Sequence, residues 1–222
     1  CTSTPNDFID NIAAKYGVKV FSHQDGNKAQ HNFNYALRNF KADYITLCHQ
    51  DDVYEPWYVE NIKKRMKPGK DIILFTDYYE IRKEGEVYKN KLLKIKRLMN
   101  IGFKMSKSSR FIRNRVLSLG NPICCPSVTF AMDKCEDFQF SHDFKNSFDW
   151  DAWSRLARKK GRFVYIGEPL VGHRIHAESG TTENIADNSR YNDDIRIYRR
   201  YWPKCIADFL MKKYAKGMDS NN

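Results

Sequence analysis

Three short segments combine acidic, basic and imidazole side chains in patterns that could do chemistry. They are residues 49–52 (HQDD), 149–151 (DWD) and 174–176 (RIH). Carboxylates are hard oxygen ligands of the kind that Mg²⁺ and Mn²⁺ prefer, and a partly buried acid can act as a general base. Arginine binds phosphate oxygens through charge-assisted hydrogen bonds. Together these residue types are typical of a site that handles a metal-bound diphosphate.

The first segment places two carboxylates, Asp51 and Asp52, directly after an apolar stretch. Neighbouring like charges repel unless a cation or hydrogen-bond donors compensate them. A divalent metal carrying a diphosphate would provide that compensation. The alternative is structural, because Asp52 could cap the following helix while Asp51 is solvated.

The second segment opens a predicted helix with Asp149 and Asp151. Interaction with the helix dipole explains one acidic residue but not the two tryptophans, Trp150 and Trp153, that accompany the pair. An acid beside tryptophan could lie in a partly desolvated cleft, where its pKa rises. Such an acid suits a general base next to a sugar-binding surface.

The third segment follows an apolar strand. In an extended strand Arg174 and His176 share one face, and His173 and Ile175 share the other. Arg174 and His176 could therefore act together on a diphosphate and its metal. A packed or solvated histidine is the alternative interpretation of His176.

Alternating helices and strands must position these segments. Apolar strands are predicted at 44–48 and 71–75, with amphipathic helices before and between them. This alternation predicts an α/β fold with a largely parallel sheet and a site at the carboxyl ends of its strands. Further strands are predicted at 18–21, 127–132 and 162–166, and helices at 3–16, 33–40, 55 onward, 150–160 and 198–210.

The positive charge is concentrated in one part of the chain. The sequence of 222 residues has a net charge of +11, and residues 81–120 contain 12 Lys/Arg against 2 Asp/Glu. The apolar spacing there predicts an inserted basic amphipathic helix. Such a helix favours an anionic partner, either a membrane surface or a phosphorylated lipid carrier, although a solvated helix face is the alternative.

Other features exclude several classes of protein. No segment reaches the length of a transmembrane helix, and the six cysteines lack the spacing of a disulfide framework or a zinc site. A nucleic-acid-binding protein is disfavoured because the 81–120 segment has only three aromatic residues and residues 1–80 are slightly acidic. We expect reduced thiols and a cytoplasmic protein, peripheral at the inner face of the membrane if the basic helix docks there.

In this order the segments resemble glycosyltransferase family 2. That family has a strand ending in a D-x-D-D type motif, a later E-D or D-W-D motif opening a helix with W and R-L, and a Y-R-x-H segment followed by S and T. The matching positions are 49–52, 149–156, Arg174, His176, Ser179 and Thr181, together with 32–37 and 76–78. His49 differs, since it replaces the first Asp of the D-x-D pattern.

The resemblance implies a GT-A fold, which is an α/β fold with a Rossmann-like, mostly parallel central sheet flanked by helices. To this we add the basic helical insert and a C-terminal helical region. It also implies metal-dependent, inverting transfer of a sugar from a nucleotide-sugar donor, most typically a UDP-sugar. The acceptor would be a glycan or lipid-linked hydroxyl in bacterial surface-polysaccharide or glycolipid synthesis, and the cofactor Mn²⁺ or Mg²⁺.

The resemblance also implies roles for individual residues. Asp149 would be the catalytic base that deprotonates the acceptor. The other implied roles are donor binding for Asn32, Asp51, Asp52 and Arg174, metal binding for Asp51 and His176, and acceptor contact for Trp150 and Asp151.

We expect one GT-A-like domain over residues 1–222. Its parts would be donor binding (1–80), the basic helical insert (81–120), an acceptor and catalytic part (121–185) and C-terminal helices (186–222). Residues 1–4 (CTST) resemble the end of the family's second strand. We therefore predict that a first strand, a helix and most of a second strand are missing upstream.

Two alternatives share this fold logic. One is a catalytically inactive or truncated GT-A module that only binds a nucleotide-sugar. The other is a nucleotidyltransferase, which also uses carboxylates and a metal but does not account for the Asp149-Trp150 motif.

Overall fold

The computed structural model describes residues 1–26, 28–175 and 189–219. Its strands are β1 (Tyr44–Thr46), β2 (Val53–Tyr54), β3 (Asp71–Arg82), β4 (Gly85–Val87), β5 (Val128–Ala131) and β6 (Arg162–Arg174). Its helices are α1 (Asp7–Tyr16), α2 (Ala29–Asn39), α3 (Tyr58–Arg65), α4 (Lys91–Met105), α5 (Arg110–Leu117), α6 (Met132–Cys135), α7 (Phe148–Leu156), α8 (Ser189–Tyr198) and α9 (Lys204–Asp219). The α/β class is confirmed.

Local sequence signals explain where several helices begin and end. The side chain of Asn6 accepts a hydrogen bond from the Ile9 amide at the start of α1, and Gly17, with φ of 64°, ends that helix. Asn90 caps α4 and Ser109 caps α5 in the same way. The helical character predicted for the basic insert is confirmed, with a short added strand, β4.

The sheet has the order β1-β5-β3-β6-β2, with β4 paired to β3. Only β3 and β6 pair in parallel among the described strands, so the expectation of a mostly parallel sheet is wrong. The reason is that β5 inserts antiparallel between β1 and β3, and alternation along a sequence does not reveal strand order. Strands β1, β3 and β6 nevertheless point the same way, so their carboxyl ends share one edge of the sheet.

The long strand β3 is the centre of the molecule. Its first ten residues are all buried, which shows that both faces of the strand are covered. Phe75 belongs to the larger hydrophobic cluster, whereas Leu74 and Tyr78 belong to a smaller one. Strand β3 continues beyond the predicted strand 71–75 to Arg82, so the 76–78 segment lies within it, and its pairing with β6 is irregular between Thr76 and Tyr78.

A buried arginine ties the basic insert to the core. Arg113 of α5 is fully buried, and its guanidinium donates hydrogen bonds to the backbone carbonyls of Lys107, Ala157, Lys159 and Gly161. These bonds supply partners for carbonyls at the end of α7. Burial lowers the pKa of this guanidinium to about 10.

Two sequence expectations differ from the fold. The strand expected at 18–21 is not formed, since only Ser22 makes an isolated bridge to Thr2, and Val18 is exposed. The apolar runs at 162–166 and 171–174 form the single strand β6. In the described part of the chain, no helix is both long and apolar enough to cross a bilayer.

Candidate active site

The first acidic segment forms a turn between β1 and β2. Because β2 pairs with the end of β6, with Val53 opposite Gly172, the turn lies beside the carboxyl end of β6. The fold therefore brings the first and third segments together, as expected for two segments at the same edge of the sheet.

Asp52 connects the turn to β6. Its Oδ1 lies 2.9 Å from Nδ1 of His173 and accepts a hydrogen bond from the Arg174 amide at 2.9 Å. The guanidinium of Arg174 donates to the backbone carbonyl of Asp51 at 2.9 Å. Asp52 thus fixes the turn to β6, and Arg174 donates hydrogen bonds to the turn from both its backbone amide and its side chain.

Three side chains of the turn lie close enough together to bind one metal ion. Ligand atoms of His49, Asp51 and Asp52 all lie within 4.8 Å of one another. Nε2 of His49 and Oδ2 of Asp52 are buried, and neither has a hydrogen-bond partner among the residues that the structure describes. Buried polar atoms without partners are costly, and a divalent cation would satisfy them. The donor set of one imidazole and two carboxylates fits Mn²⁺ or Mg²⁺.

The electrostatics of the turn favour the protonation states that bind a metal. Burial acts to raise the pKa of Asp52, but the hydrogen bonds from His173 and the Arg174 amide outweigh burial and lower the pKa overall. Burial lowers the pKa of His49, against the opposing effect of Asp52. Asp52 is therefore a carboxylate at neutral pH and His49 a neutral imidazole.

Asp149 opens α7, where it is half-buried. Oδ2 accepts a hydrogen bond of 2.8 Å from the Asn121 amide group, and Oδ1 accepts one of 2.7 Å from the Trp150 backbone amide. Burial raises the pKa of Asp149, although the charge of Arg190 opposes that change. A carboxylate with a raised pKa is a better proton acceptor than an ordinary aspartate.

Aromatic packing places the metal-ligand cluster near Asp149. Phe33 of α2 stacks on His49 with ring centroids 5.1 Å apart, and it also contacts Phe148, the neighbour of Asp149, at 6.1 Å. The half-buried Cys125, which lies just before β5, interacts electrostatically with both segments, because burial raises its pKa and the charges of Asp149 and Asp52 raise it further. The two acidic segments therefore lie near each other.

Trp150 and Asp151 are placed differently from our expectation of acceptor contact. Both are about 1% exposed. The indole of Trp150 donates to the Leu117 carbonyl, and Asp151 forms ion pairs with Arg155 at 2.8 Å and Arg200 at 2.6 Å. Neither side chain can contact an acceptor from these positions, because both are used within the core.

The remaining predicted residues either contact other parts of the fold or lie outside the described residues. Oδ1 of Asn32 lies 2.7 Å from Nε2 of His23, and Asn32 directly precedes Phe33 on α2. Asp77 of the 76–78 segment forms an ion pair with Arg97 at 2.6 Å. His176, Ser179 and Thr181 lie outside the described residues.

Sequence reasoning missed two histidines of the site. Strand alternation places His173 on the other face from Arg174 and His176, yet His173 is the residue whose ring contacts Asp52. In the family pattern His49 is only a departure from an acidic motif, although its ring is close enough to both carboxylates to share a cation. The signal was available, since imidazole is itself a common metal ligand.

Comparison with known proteins identifies similar sequences. The family described as glycosyl transferase family 2 matches residues 3–136. An uncharacterized glycosyltransferase of Rickettsia felis is 26% identical over 98% of this chain and 34% of its own length. A second, from Rickettsia typhi, is 25% identical over 96% of this chain and 61% of its own length. The chain thus spans about a third and about three fifths of these relatives.

Solved structures show a similar fold. The crystal structure of Staphylococcus aureus TarS (residues 1–349) has a TM-score of 0.61 at 12% identity, covering 94% of this chain and 58% of that chain. TarS 1–349 in complex with UDP-GlcNAc also has a TM-score of 0.61 at 12% identity, with coverage of 96% and 60%. At such low identity these matches support the fold alone.

Proposed function

This chain belongs to glycosyltransferase family 2, and on that premise we propose that it transfers a sugar from a nucleotide-sugar donor to an acceptor hydroxyl with inversion. The observation that carries the proposal is the convergence of His49, Asp51 and Asp52 in one turn near the half-buried Asp149. Metal ligands for a diphosphate and a base for a hydroxyl are the two requirements of this reaction.

The turn would hold the donor diphosphate through a divalent cation. His49, Asp51 and Asp52 are the residues that would bind Mn²⁺ or Mg²⁺, with His176 as a further proposed ligand. The ion, when bound, would neutralise charge on the departing diphosphate. Arg174, anchored on the turn, and Asn32 on α2 are proposed donor contacts.

Asp149 would activate the acceptor. Its carboxylate takes the proton of the acceptor hydroxyl as the oxygen attacks the anomeric carbon from the face opposite the diphosphate. The bond from that carbon to the diphosphate oxygen breaks, and the nucleoside diphosphate leaves with the electron pair. The proton then passes from Asp149 to solvent, and no covalent enzyme intermediate forms.

The donor and acceptor classes are further proposals. UDP is the expected nucleotide, since TarS 1–349 has been crystallised with UDP and with UDP-GlcNAc. We propose a glycan or lipid-linked acceptor in bacterial surface-polysaccharide or glycolipid synthesis, at the cytoplasmic face of the membrane. The division into donor part (1–80), insert (81–120), acceptor part (121–185) and C-terminal helices (186–222) is proposed on the same basis.

The test measures the thermal stability of the purified chain with a panel of nucleoside diphosphates and their sugars, each with and without Mn²⁺. We expect one nucleotide to raise the melting temperature only when Mn²⁺ is present, because ligands that bind the folded state stabilise it. Asp51→Asn should abolish the shift, and the matched control Asp25→Asn should retain it.

Donor turnover then separates an enzyme from a binding module. Hydrolysis or transfer of the donor identified by the shift should require both Asp51 and Asp149. A nucleotide-induced shift without any turnover would instead identify a catalytically inactive nucleotide-sugar-binding module. The absence of a shift with every nucleotide would contradict the proposal.

A further inference from the structure

The outer face of α4 combines lysines with exposed apolar side chains. Lys91, Lys94, Leu98, Ile101 and Met105 recur at alternating intervals of three and four residues, so they lie on one side of the helix. Leu98 is 69% exposed and Met105 is 82% exposed. Single exposed apolar residues are ordinary on a protein surface, but these three form a stripe along one helix that no described part of the chain covers.

The opposite side of α4 is occupied by the fold. Leu93 and Phe103 are fully buried. Nζ of Lys96 donates to the Tyr78 hydroxyl at 2.9 Å, and Arg97 pairs with Asp77. These two cations therefore do not belong to the outer face, although the sequence alone places them with Lys91 and Lys94. The helix presents distinct inner and outer sets of positive charges.

The surroundings of the outer face are also basic. In the insert, Phe111 at the start of α5 is 66% exposed, and Glu84 and Glu86 are the two acidic residues of the 81–120 segment. The exposed cations of the insert are Lys83, Lys89, Lys91, Lys94, Lys104, Lys107, Arg110 and Arg115. An exposed apolar stripe in so basic a segment is complementary to a bilayer with anionic headgroups and apolar acyl chains beneath them.

We propose that the outer face of α4 docks on an anionic lipid bilayer. Leu98, Ile101 and Met105 would enter the boundary between headgroups and acyl chains, while Lys91 and Lys94 would contact lipid phosphates. A second copy of this chain fits less well, because two basic inserts would face each other in a protein with a net charge of +11.

Docking in this way would bring the candidate active site close to the membrane. A helix is roughly 10 Å across, and the inner side of α4 contacts Asp77 and Tyr78 of β3. Strand β3 pairs with β6, and the ring of Tyr78 lies 6.1 Å from the ring of His173, which contacts Asp52. This part of the inference rests on the proposed function, because it explains how a lipid-linked acceptor would reach Asp149. The docking itself does not depend on catalysis.

The test is sedimentation of the purified chain with vesicles of phosphatidylcholine alone and with vesicles that also contain phosphatidylglycerol. We expect binding only to the anionic vesicles, weakened by salt. Lys91→Gln/Lys94→Gln should weaken it by roughly fivefold per lysine. Leu98→Ser/Met105→Ser should weaken it at least tenfold. The matched controls are Lys63→Gln/Lys67→Gln for charge and Phe8→Ser for an exposed apolar residue.

Three outcomes would overturn the docking proposal. They are no sedimentation of the wild-type chain with anionic vesicles, unchanged binding in both outer-face variants, and a wild-type dimer in solution that Leu98→Ser/Met105→Ser dissociates. The last result would identify a second copy as the occupant. The nucleotide-induced thermal shift, measured in the same variants, reports separately on the donor site, so failure of docking is distinguishable from failure of the proposed function.

Discussion

The two acidic segments of the site use their carboxylates in different ways. Asp151 is saturated, because one oxygen pairs with Arg155 and the other with Arg200. The Asp52 side chain is equally shielded from solvent, yet within the described part of the chain only its Oδ1 is hydrogen-bonded, and its Oδ2 lies 3.7 Å from Nδ1 of His49. A carboxylate whose two oxygens both pair with arginines stabilises the fold. A carboxylate with a buried oxygen that has no partner among the described residues can bind a cation.

The other aspartate of each segment is less shielded from solvent than Asp151. Asp51 and Asp149 are both half-buried. Asp149 accepts hydrogen bonds from neutral amides rather than from a guanidinium at contact distance, which leaves its pKa raised by burial. On the proposed function, each pair would combine an aspartate that stabilises the local structure with an aspartate that takes part in the reaction.

The largest effect should come from Asp149→Asn. Removal of a general base reduces the rate by about 10²- to 10⁴-fold, and we expect a loss of that size in kcat for sugar transfer. The amide preserves the shape, and its single oxygen can still accept one of the two hydrogen bonds, from Asn121 or from the Trp150 amide. With only one hydrogen bond lost, the folded state and nucleotide binding should persist. Steady-state transfer kinetics and the nucleotide-induced thermal shift measure the two properties.

Asp137→Asn, an exposed acid outside the site, is the matched control for that variant and should transfer sugar at the wild-type rate. Near-normal transfer by Asp149→Asn would show that Asp149 is only a helix-capping residue. The proposed difference between a structural Asp151 and a catalytic Asp149 would then be wrong.

Asp151→Ala should reduce stability rather than chemistry. It leaves the guanidinium groups of Arg155 and Arg200 without their shared partner, but both are more than a quarter exposed, which reduces the penalty. We expect the free energy of unfolding to fall by about 2 kcal/mol, measured by urea denaturation. Asp137→Ala should change it by less than about 0.5 kcal/mol. Unchanged stability in Asp151→Ala would refute the scaffold role.

Asp51→Asn should reduce the affinity for Mn²⁺ without unfolding the chain. We expect at least a tenfold increase in the dissociation constant, measured by titration calorimetry, because one anionic ligand is lost. His173→Gln, which removes the contact that orients Asp52, should give an effect of about tenfold, at the lower end of the range for residues that orient ligands. Wild-type affinity in both variants would place the cation elsewhere.

These contrasts mark the limit of what the sequence predicts. The common direction of β1, β3 and β6 follows from apolar runs separated by helices, and so does a site at their carboxyl ends. The antiparallel insertion of β5 does not, because strand order depends on long-range packing. The role of Asp151 was equally hidden, since Arg200 lies 49 residues away along the chain and no local pattern joins the two. Likewise, the contact between His173 and Asp52 depends on the pairing of β2 with β6, which the sequence pattern does not predict.

The smallest predicted effect concerns the pH dependence of transfer. The charge of Lys96 is one of the influences that lower the pKa of Asp149 against the larger effect of burial. A base acts only when deprotonated, so activity is lost as the pH falls through its pKa. Lys96→Met should raise that pKa further and move the acidic limb of the kcat/KM profile to higher pH, leaving the rate well above the pKa little changed. Lys94→Met, on the outer face of the same helix, should leave the profile in place, and an equal displacement in both variants would show that net charge, rather than the position of Lys96, tunes the base.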